Sequence, residues 1–220
     1  MTIRRPRIAL IHAVTVAMRP VADALAALWP HAQVQNLLDD ALSPDRQSDG
    51  ELTDAMRARI VKLACYAHTT GANGILFTCS AFGPAIDDAK AALPIPVLKP
   101  NEAMFAEALS RGRRVGMLAT YAPSVESMEA EFHAMARTRG VQATLRSGCV
   151  PQAMQALRDG RGDEHDRLLA DAAHSFADCD VLLLAHFSTS RALDAVGASV
   201  AIPVLTSPNS AVLALRAALS

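Results

Sequence analysis

Aromatic residues are scarce in this 220-residue sequence: one Trp, two Tyr and six Phe, or 4% of the chain. Set against a hydrophobic content of 51%, that scarcity argues against an aromatic-rich sandwich core and for the aliphatic packing of an α/β protein. No charge of one sign dominates, since 21 Lys and Arg stand against 22 Asp and Glu for a formal net charge of -1. No global field therefore favours nucleic acid or an anionic membrane, and the expected partner is a small molecule. No apolar run approaches the roughly 18 residues needed to cross a bilayer. The start, Met1-Thr-Ile-Arg-Arg-Pro-Arg followed by an apolar run, imitates a signal peptide, but His12 interrupts the run and no clear cleavage site follows. It reads as a buried first strand, and the protein as soluble and cytoplasmic. Cys65, Cys79, Cys149 and Cys179 form neither CxxC pairs nor a dense framework, which excludes a zinc ribbon and a secreted disulfide scaffold and leaves free thiols. There is no HExxH and no P-loop glycine spacing. His31, His68, His133, His165 and His174 accordingly read as surface or packing residues, and the loops Arg111 to Arg114 and Arg158 to Asp163 as solvated turns.

What is present is alternation. Short apolar runs, Arg7-Ile-Ala-Leu-Ile, Gly74-Ile-Leu-Phe-Thr, Arg114-Val-Gly-Met-Leu and Val181-Leu-Leu-Leu-Ala, are separated by Ala-rich amphipathic stretches. Helices are predicted over Met18 to Trp29, Thr53 to Thr69, Ser124 to Arg139 and His165 to Phe176. Thr53 and Ser124 suit helix N-caps, and Gly71 and Gly140 suit helix ends. This is the pattern of βα units around a parallel sheet.

The second half also repeats the first. Arg7, Cys79 and Pro96 correspond to Arg114, His186 and Pro203, each 107 positions later. At that offset Ala85, Asp87, Ala91, Ile95, Pro96, Val97 and Leu98 meet identical residues, and Pro100-Asn101-Glu102-Ala103 matches Pro208-Asn209-Ser210-Ala211 after one insertion. So long a period implies a duplicated domain, not a solenoid of short repeats. The expectation is two pseudo-symmetric α/β domains, each a mainly parallel sheet flanked by helices, one formed by 1–98 with 207–220 and the other by 99–206. Open parallel sheets bind ligands beyond the carboxyl ends of their strands, so an active site is expected between the domains, with Cys79 on one side and His186 on the other.

Around Cys79, Phe77-Thr-Cys-Ser-Ala-Phe-Gly-Pro leaves a strand and enters a helix. Backbone N–H groups at Ser80 and Ala81 would suit a carboxylate, and the same field would favour a thiolate at Cys79. The alternative is a cysteine that merely fills space. The matching exit, Ala185-His186-Phe187-Ser188, offers an imidazole that titrates near neutrality, with Phe187 and Ser188 placed to touch substrate. His12, Thr120 and Tyr121 end the first strands of the two halves. The Thr120 and Tyr121 hydroxyls either donate to a carboxylate or developing enolate or are satisfied locally. Asn101 either holds substrate or makes turn hydrogen bonds.

A duplicated α/β chain of this length with a thiol at the third strand end resembles the cofactor-independent aspartate/glutamate (hydantoin) racemase superfamily. The resemblance rests on Gly71-Ala-Asn-Gly-Ile-Leu-Phe-Thr-Cys-Ser, Ile95-Pro-Val-Leu-Lys-Pro-Asn-Glu-Ala and Ile202-Pro-Val-Leu-Thr-Ser-Pro-Asn. It implies an isomerase without cofactor or metal that acts on a small carboxylate, either an amino acid or a hydantoin-like ring, and it allows a homodimer. Cys79 matches the first of the family's two opposed cysteines, and the backbone at Ser80 and Ala81 matches its carboxylate cradle. His186 stands where the second cysteine is expected. The departure leaves three readings open: a Cys/His racemase or epimerase, a decarboxylase or cis/trans isomerase on the same scaffold, and a carboxylate-binding protein without turnover.

Overall fold

The computed structural model describes residues 5–220; the first four residues of the charged start, Met1 to Arg4, lie outside the described residues. Two compact units emerge. One runs up to Pro100 and also includes Ala211–Ser220; the other is Asn101–Ser210.

The first unit contains β1 (Arg7–His12), α1 (Met18–Leu28), β2 (Gln33–Leu38), α2 (Leu42–Asp49), α3 (Asp54–Thr69), β3 (Gly74–Phe77), α4 (Gly83–Ala92) and β4 (Val97–Leu98). Its sheet is parallel with strand order β2-β1-β3-β4. Strands β1 and β3 are covered on both faces, so they read as continuous apolar runs. Alternate β1 side chains serve opposite faces: Ala9 and Ile11 pack with Met56, Ile60 and Ala64 of α3 and with Ile86 of α4. The edge strand β2 is half exposed, which is why Gln33-Val-Gln-Asn-Leu-Leu carries no comparable run. Thr53 caps α3, its Oγ1 accepting the Met56 N–H at 3.3 Å, a contact worth about 1 kcal/mol. Gly71 follows that helix at φ 87°, the left-handed ending that glycine adopts without steric cost. Arg59 of α3 then ties the end of β2 to α2, donating to both carboxylate oxygens of Asp39 and to Asp45.

The second unit contains α5 (Glu102–Arg111), β5 (Arg114–Ala119), α6 (Val125–Thr138), β6 (Thr144–Cys149), α7 (Pro151–Arg158), α8 (Gly162–Ala173), β7 (Val181–Leu184), α9 (Leu193–Ser199) and β8 (Val204–Thr206); α10 (Ser207–Ala218) closes the chain. The sheet is again parallel, with order β6-β5-β7-β8. One face packs Met117 and Ala119 against Phe105 and Phe132, whose rings meet edge to face with centroids 5.7 Å apart. The other face packs Leu118, Leu182 and Leu184 against Leu169, Phe176 and Val196. Asp180 pins the amino-terminal end of β5, accepting the backbone N–H groups of Arg113 at 2.8 Å and Arg114 at 2.9 Å together with the Arg114 guanidinium. Those donors hold its carboxyl at about 2.

Among the described residues no helix is long and apolar enough to cross a membrane, and all four cysteines are free thiols.

Candidate active site

In the first unit, β1 and β3 are neighbours in register from Ile8↔Gly74 to Ile11↔Phe77, so the residues that follow them emerge together. His12 ends β1, and Thr78 and Cys79 follow β3. The buried His12 ring is held at both nitrogens: Nδ1 lies 2.9 Å from Thr78 Oγ1 and Nε2 lies 3.0 Å from Asn36 Oδ1. An amide oxygen can only accept, so Nε2 carries the proton and Nδ1 accepts from Thr78. Burial holds the His12 pKa below its ordinary value, and the bond to Asn36 offsets this only in part. His12 is thus a neutral strut beside the cysteine, with no ring nitrogen spare for a ligand.

Cys79 has extended backbone (φ -124°, ψ 124°) and opens a short 3-10 turn, Ser80–Phe82, that runs into α4. The helix field was expected to favour a thiolate. Instead, burial pushes the Cys79 thiol above its ordinary pKa, and the Ala81 N–H donated to the sulfur offsets only part of that. Desolvation of a charged sulfur outweighs one backbone dipole. The thiol is therefore protonated at neutral pH. Ser80 is half-buried and Ala81 exposed on the same turn.

In the second unit, β5 and β7 are neighbours from Val115↔Val181 to Leu118↔Leu184, which brings Thr120 and Tyr121 to the same edge as His186. His186 opens its own 3-10 turn, Phe187–Ala192, with φ 73° and ψ 148°. Among the described residues it is the one non-glycine residue with positive φ. Its Nε2 lies 2.7 Å from Ser124 Oγ, and its Nδ1 is buried without a protein partner. Burial lowers its pKa from 6.5 to about 4, so the imidazole is neutral at neutral pH.

Thr120 is buried and its hydroxyl has no partner, whereas Tyr121 is 45% exposed. Phe187 and Ser188 are buried in the turn. Asn101, which precedes α5, accepts a hydrogen bond from Ser207 Oγ at 2.8 Å and leaves its buried Nδ2 unpartnered; it does not cap the helix. Thr206, the last residue of β8, has a second unpartnered buried hydroxyl. The carboxyl end of this sheet thus gathers hydrogen-bonding atoms that the protein itself does not satisfy, which is where such atoms can serve a ligand. A shallow basin of about 580 Å³ lies at the opposite, amino-terminal end of β5 and β6, lined by Arg113, Arg114, His133, Arg137 and Thr144 among others, away from these groups.

Sequence reasoning missed the partners of the two histidines. Asn36 lies on an edge strand with no apolar signal, and Ser124 reads as a helix cap. Its hydroxyl in fact makes no cap bond and goes to Tyr121 O at 2.8 Å and to His186. Of the histidines read as surface or packing residues, His31 and His174 are exposed and His165 is fully buried beside Asp166.

The family model described as Asp/Glu/Hydantoin racemase matches residues 11–147, more than half of the chain. No curated protein sequence matches significantly. Solved structures share the fold at low identity. Aspartate racemase from Picrophilus torridus superposes with a TM-score of 0.73 and 15% identity over 97% of this chain and 94% of that one. Allantoin racemase from Klebsiella pneumoniae gives 0.73 and 13% over 97% and 87%. A Gly74Cys mutant of arylmalonate decarboxylase gives 0.65 and 21% over 98% and 95%. The family match over residues 11–147 and the two four-stranded parallel sheets flanked by helices agree: the chain belongs to the Asp/Glu/hydantoin racemase family.

Proposed function

We propose that the protein is a cofactor-independent racemase or epimerase of a small carboxylate, an amino acid or hydantoin-like ring, with Cys79 and His186 as its acid/base pair. The observation that carries this reading is positional. In each unit the third strand of the chain lies between the first and the fourth, and two residues beyond its end comes a group able to move a proton: Cys79 after Phe77, His186 after Leu184. The 107-residue offset between them is also that of the internal repeat, which supports duplication of a domain with boundaries near 98/99 and 206/207. A cytoplasmic location and a homodimer belong to the same reading.

Both groups rest neutral at neutral pH. The neutral imidazole is the base and the thiol the acid: the imidazole takes the proton from the substrate Cα, and Cys79 S–H delivers one to the opposite face. The Cα–H and S–H bonds break, and N–H and new Cα–H bonds form. The charge that develops on the substrate carboxylate needs donors, and the Thr120 hydroxyl and Asn101 Nδ2, both buried and unpartnered, supply them. The pair ends as imidazolium and thiolate, the forms that burial disfavours, so it relaxes by proton exchange before the next turnover.

The protonated thiol favours a second reading, decarboxylation. Once CO2 leaves, a single acid suffices, and Cys79 protonates the carbanion.

The test is proton exchange at carbon. L-Aspartate, L-glutamate and a 5-monosubstituted hydantoin are incubated in D2O and followed by NMR for Cα deuteration and inversion. Loss of both signals in Cys79→Ala and in His186→Gln supports the assignment; exchange unchanged in both variants would sink it. CO2 release from a malonate without deuteration of recovered substrate selects the second reading.

A further inference from the structure

His186 sits in a backbone region that glycine alone enters without cost, and such conformations persist only where the surroundings impose them. Two hydroxyls do so. Thr189, fully buried, has its hydroxyl 2.6 Å from the Ala185 carbonyl and 2.8 Å from the His186 carbonyl and shares its one proton between them, tying the turn to the end of β7. Ser124 meets the imidazole itself.

The Ser124 hydroxyl has one proton and two neighbours, the Tyr121 carbonyl at 2.8 Å and His186 Nε2 at 2.7 Å. A carbonyl oxygen can only accept. If the proton goes to Tyr121, Ser124 accepts from Nε2–H, both contacts are hydrogen bonds, and Nδ1 carries a bare lone pair. If the proton goes instead to Nε2, the Tyr121 contact is lost and neutral His186 must carry its proton on Nδ1, a buried N–H with no acceptor. The first arrangement makes one more hydrogen bond and strands no donor.

The internal repeat adds an independent observation. The position equivalent to Ser124 in the thiol half is Ala17, a buried alanine. A hydroxyl therefore appears in the half that carries the histidine and is absent from the half that carries the cysteine, which has no tautomer to choose.

We propose that Ser124 is a positioning residue that holds His186 as the Nε2–H tautomer, so that Nδ1 is the nitrogen that exchanges protons with substrate. The proposal rests on the acid/base reading of His186 given above. It makes Ser124 the companion that a histidine requires at this position, and it identifies the working nitrogen.

The measurement is a long-range 1H–15N correlation spectrum of the full-length protein labelled with 15N-histidine at pH 7, with the His186 signals assigned by their loss in His186→Gln. The expected result is one Nε2–H tautomer in the wild type and in Ser124→Thr, with mixed tautomers in Ser124→Ala. In the deuteration assay on the same panel, Ser124→Ala should lose roughly 10- to 100-fold in kcat, by analogy with the loss of the hydrogen-bond partner that orients a metal-bound histidine. KM should stay nearly constant, and Ser124→Thr should recover most of the rate. An Nδ1–H tautomer in the wild type, or an unchanged tautomer in Ser124→Ala, overturns the proposal at Ser124. Wild-type exchange in His186→Gln overturns it at its premise, and the two failures are told apart because the spectrum needs no substrate.

Discussion

Replacing both repeat-equivalent residues by glycine and by alanine tests whether the backbone at His186 stores strain. At Cys79 the backbone is extended, with φ -124°, a conformation open to any residue. Alanine there should be more stable than glycine by about 0.5–1 kcal/mol, the conformational entropy that glycine loses on folding. At His186, with φ 73° and ψ 148°, a Cβ carries a steric cost of about 1–3 kcal/mol that glycine escapes. Subtracting the same entropy term leaves His186→Gly more stable than His186→Ala by roughly 0–2.5 kcal/mol, centred on about 1 kcal/mol. The comparison removes the ring, its Ser124 hydrogen bond and the Nδ1 orphan from both variants, so those terms cancel. For a chain of this size about 1 kcal/mol moves the melting temperature by about 2–4 °C, within reach of calorimetry or of urea midpoints. The order should therefore invert between the two positions. His186→Ala more stable than His186→Gly, as at Cys79, would refute the strain and remove one argument for a functional constraint on this turn.

Other expectations follow from the same geometry. Because the folded His186 pKa lies at about 4, below its ordinary 6.5, the unfolded chain takes up a proton there first as the pH falls. The His186 contribution to stability is thus fully present above about pH 6.5 and lost as pH falls through about 4; urea midpoints of His186→Gln should decline less over that window than wild type. Thr78→Val keeps the shape beside Cys79 but leaves the buried His12 Nδ1 without its donor, which should cost about 1–3 kcal/mol in urea unfolding. Equal stability would mean that Thr78 does not hold the ring. Gly116→Ala would place a Cβ 2.6 Å from the Phe176 ring and 3.0 Å from Leu182; overpacking of about 1–3 kcal/mol is expected, and an unchanged melting temperature would show that this side of the β5 face is looser than it looks.

Much of the architecture was legible in the chain. β1, β3, β5 and β7 are buried on both faces, so each reads as an uninterrupted apolar run bounded by turn residues. β2 and β6 stayed below notice because they are edge strands, and the alternating exposure of Gln33-Val-Gln-Asn-Leu-Leu and Thr144-Leu-Arg-Ser-Gly-Cys resembles loop sequence. The candidate residues could be named from the chain as well, since the offset that aligns Pro96 with Pro203 also aligns Cys79 with His186. Its electrostatics was not. The residues around Cys79 suggest an N-terminal helix field, yet the sign of the thiol shift comes from how much protein surrounds the sulfur, a sum over segments far apart in the chain. The unpartnered hydroxyls of Thr120 and Thr206 were hidden for the same reason, because a missing partner is a statement about everything nearby.

The sequence by itself determined the α/β class, because that depends on periodicity along one dimension, and the 107-residue offset that sets Cys79 against His186 is likewise read from spacing alone. Only the tertiary structure decided that both groups rest neutral, that Ser124 serves His186 across 62 residues instead of capping α6, and that His186 occupies a glycine-like conformation. Burial, hydrogen-bond polarity and backbone strain are properties of groups brought together in space, and no local pattern in the chain records them.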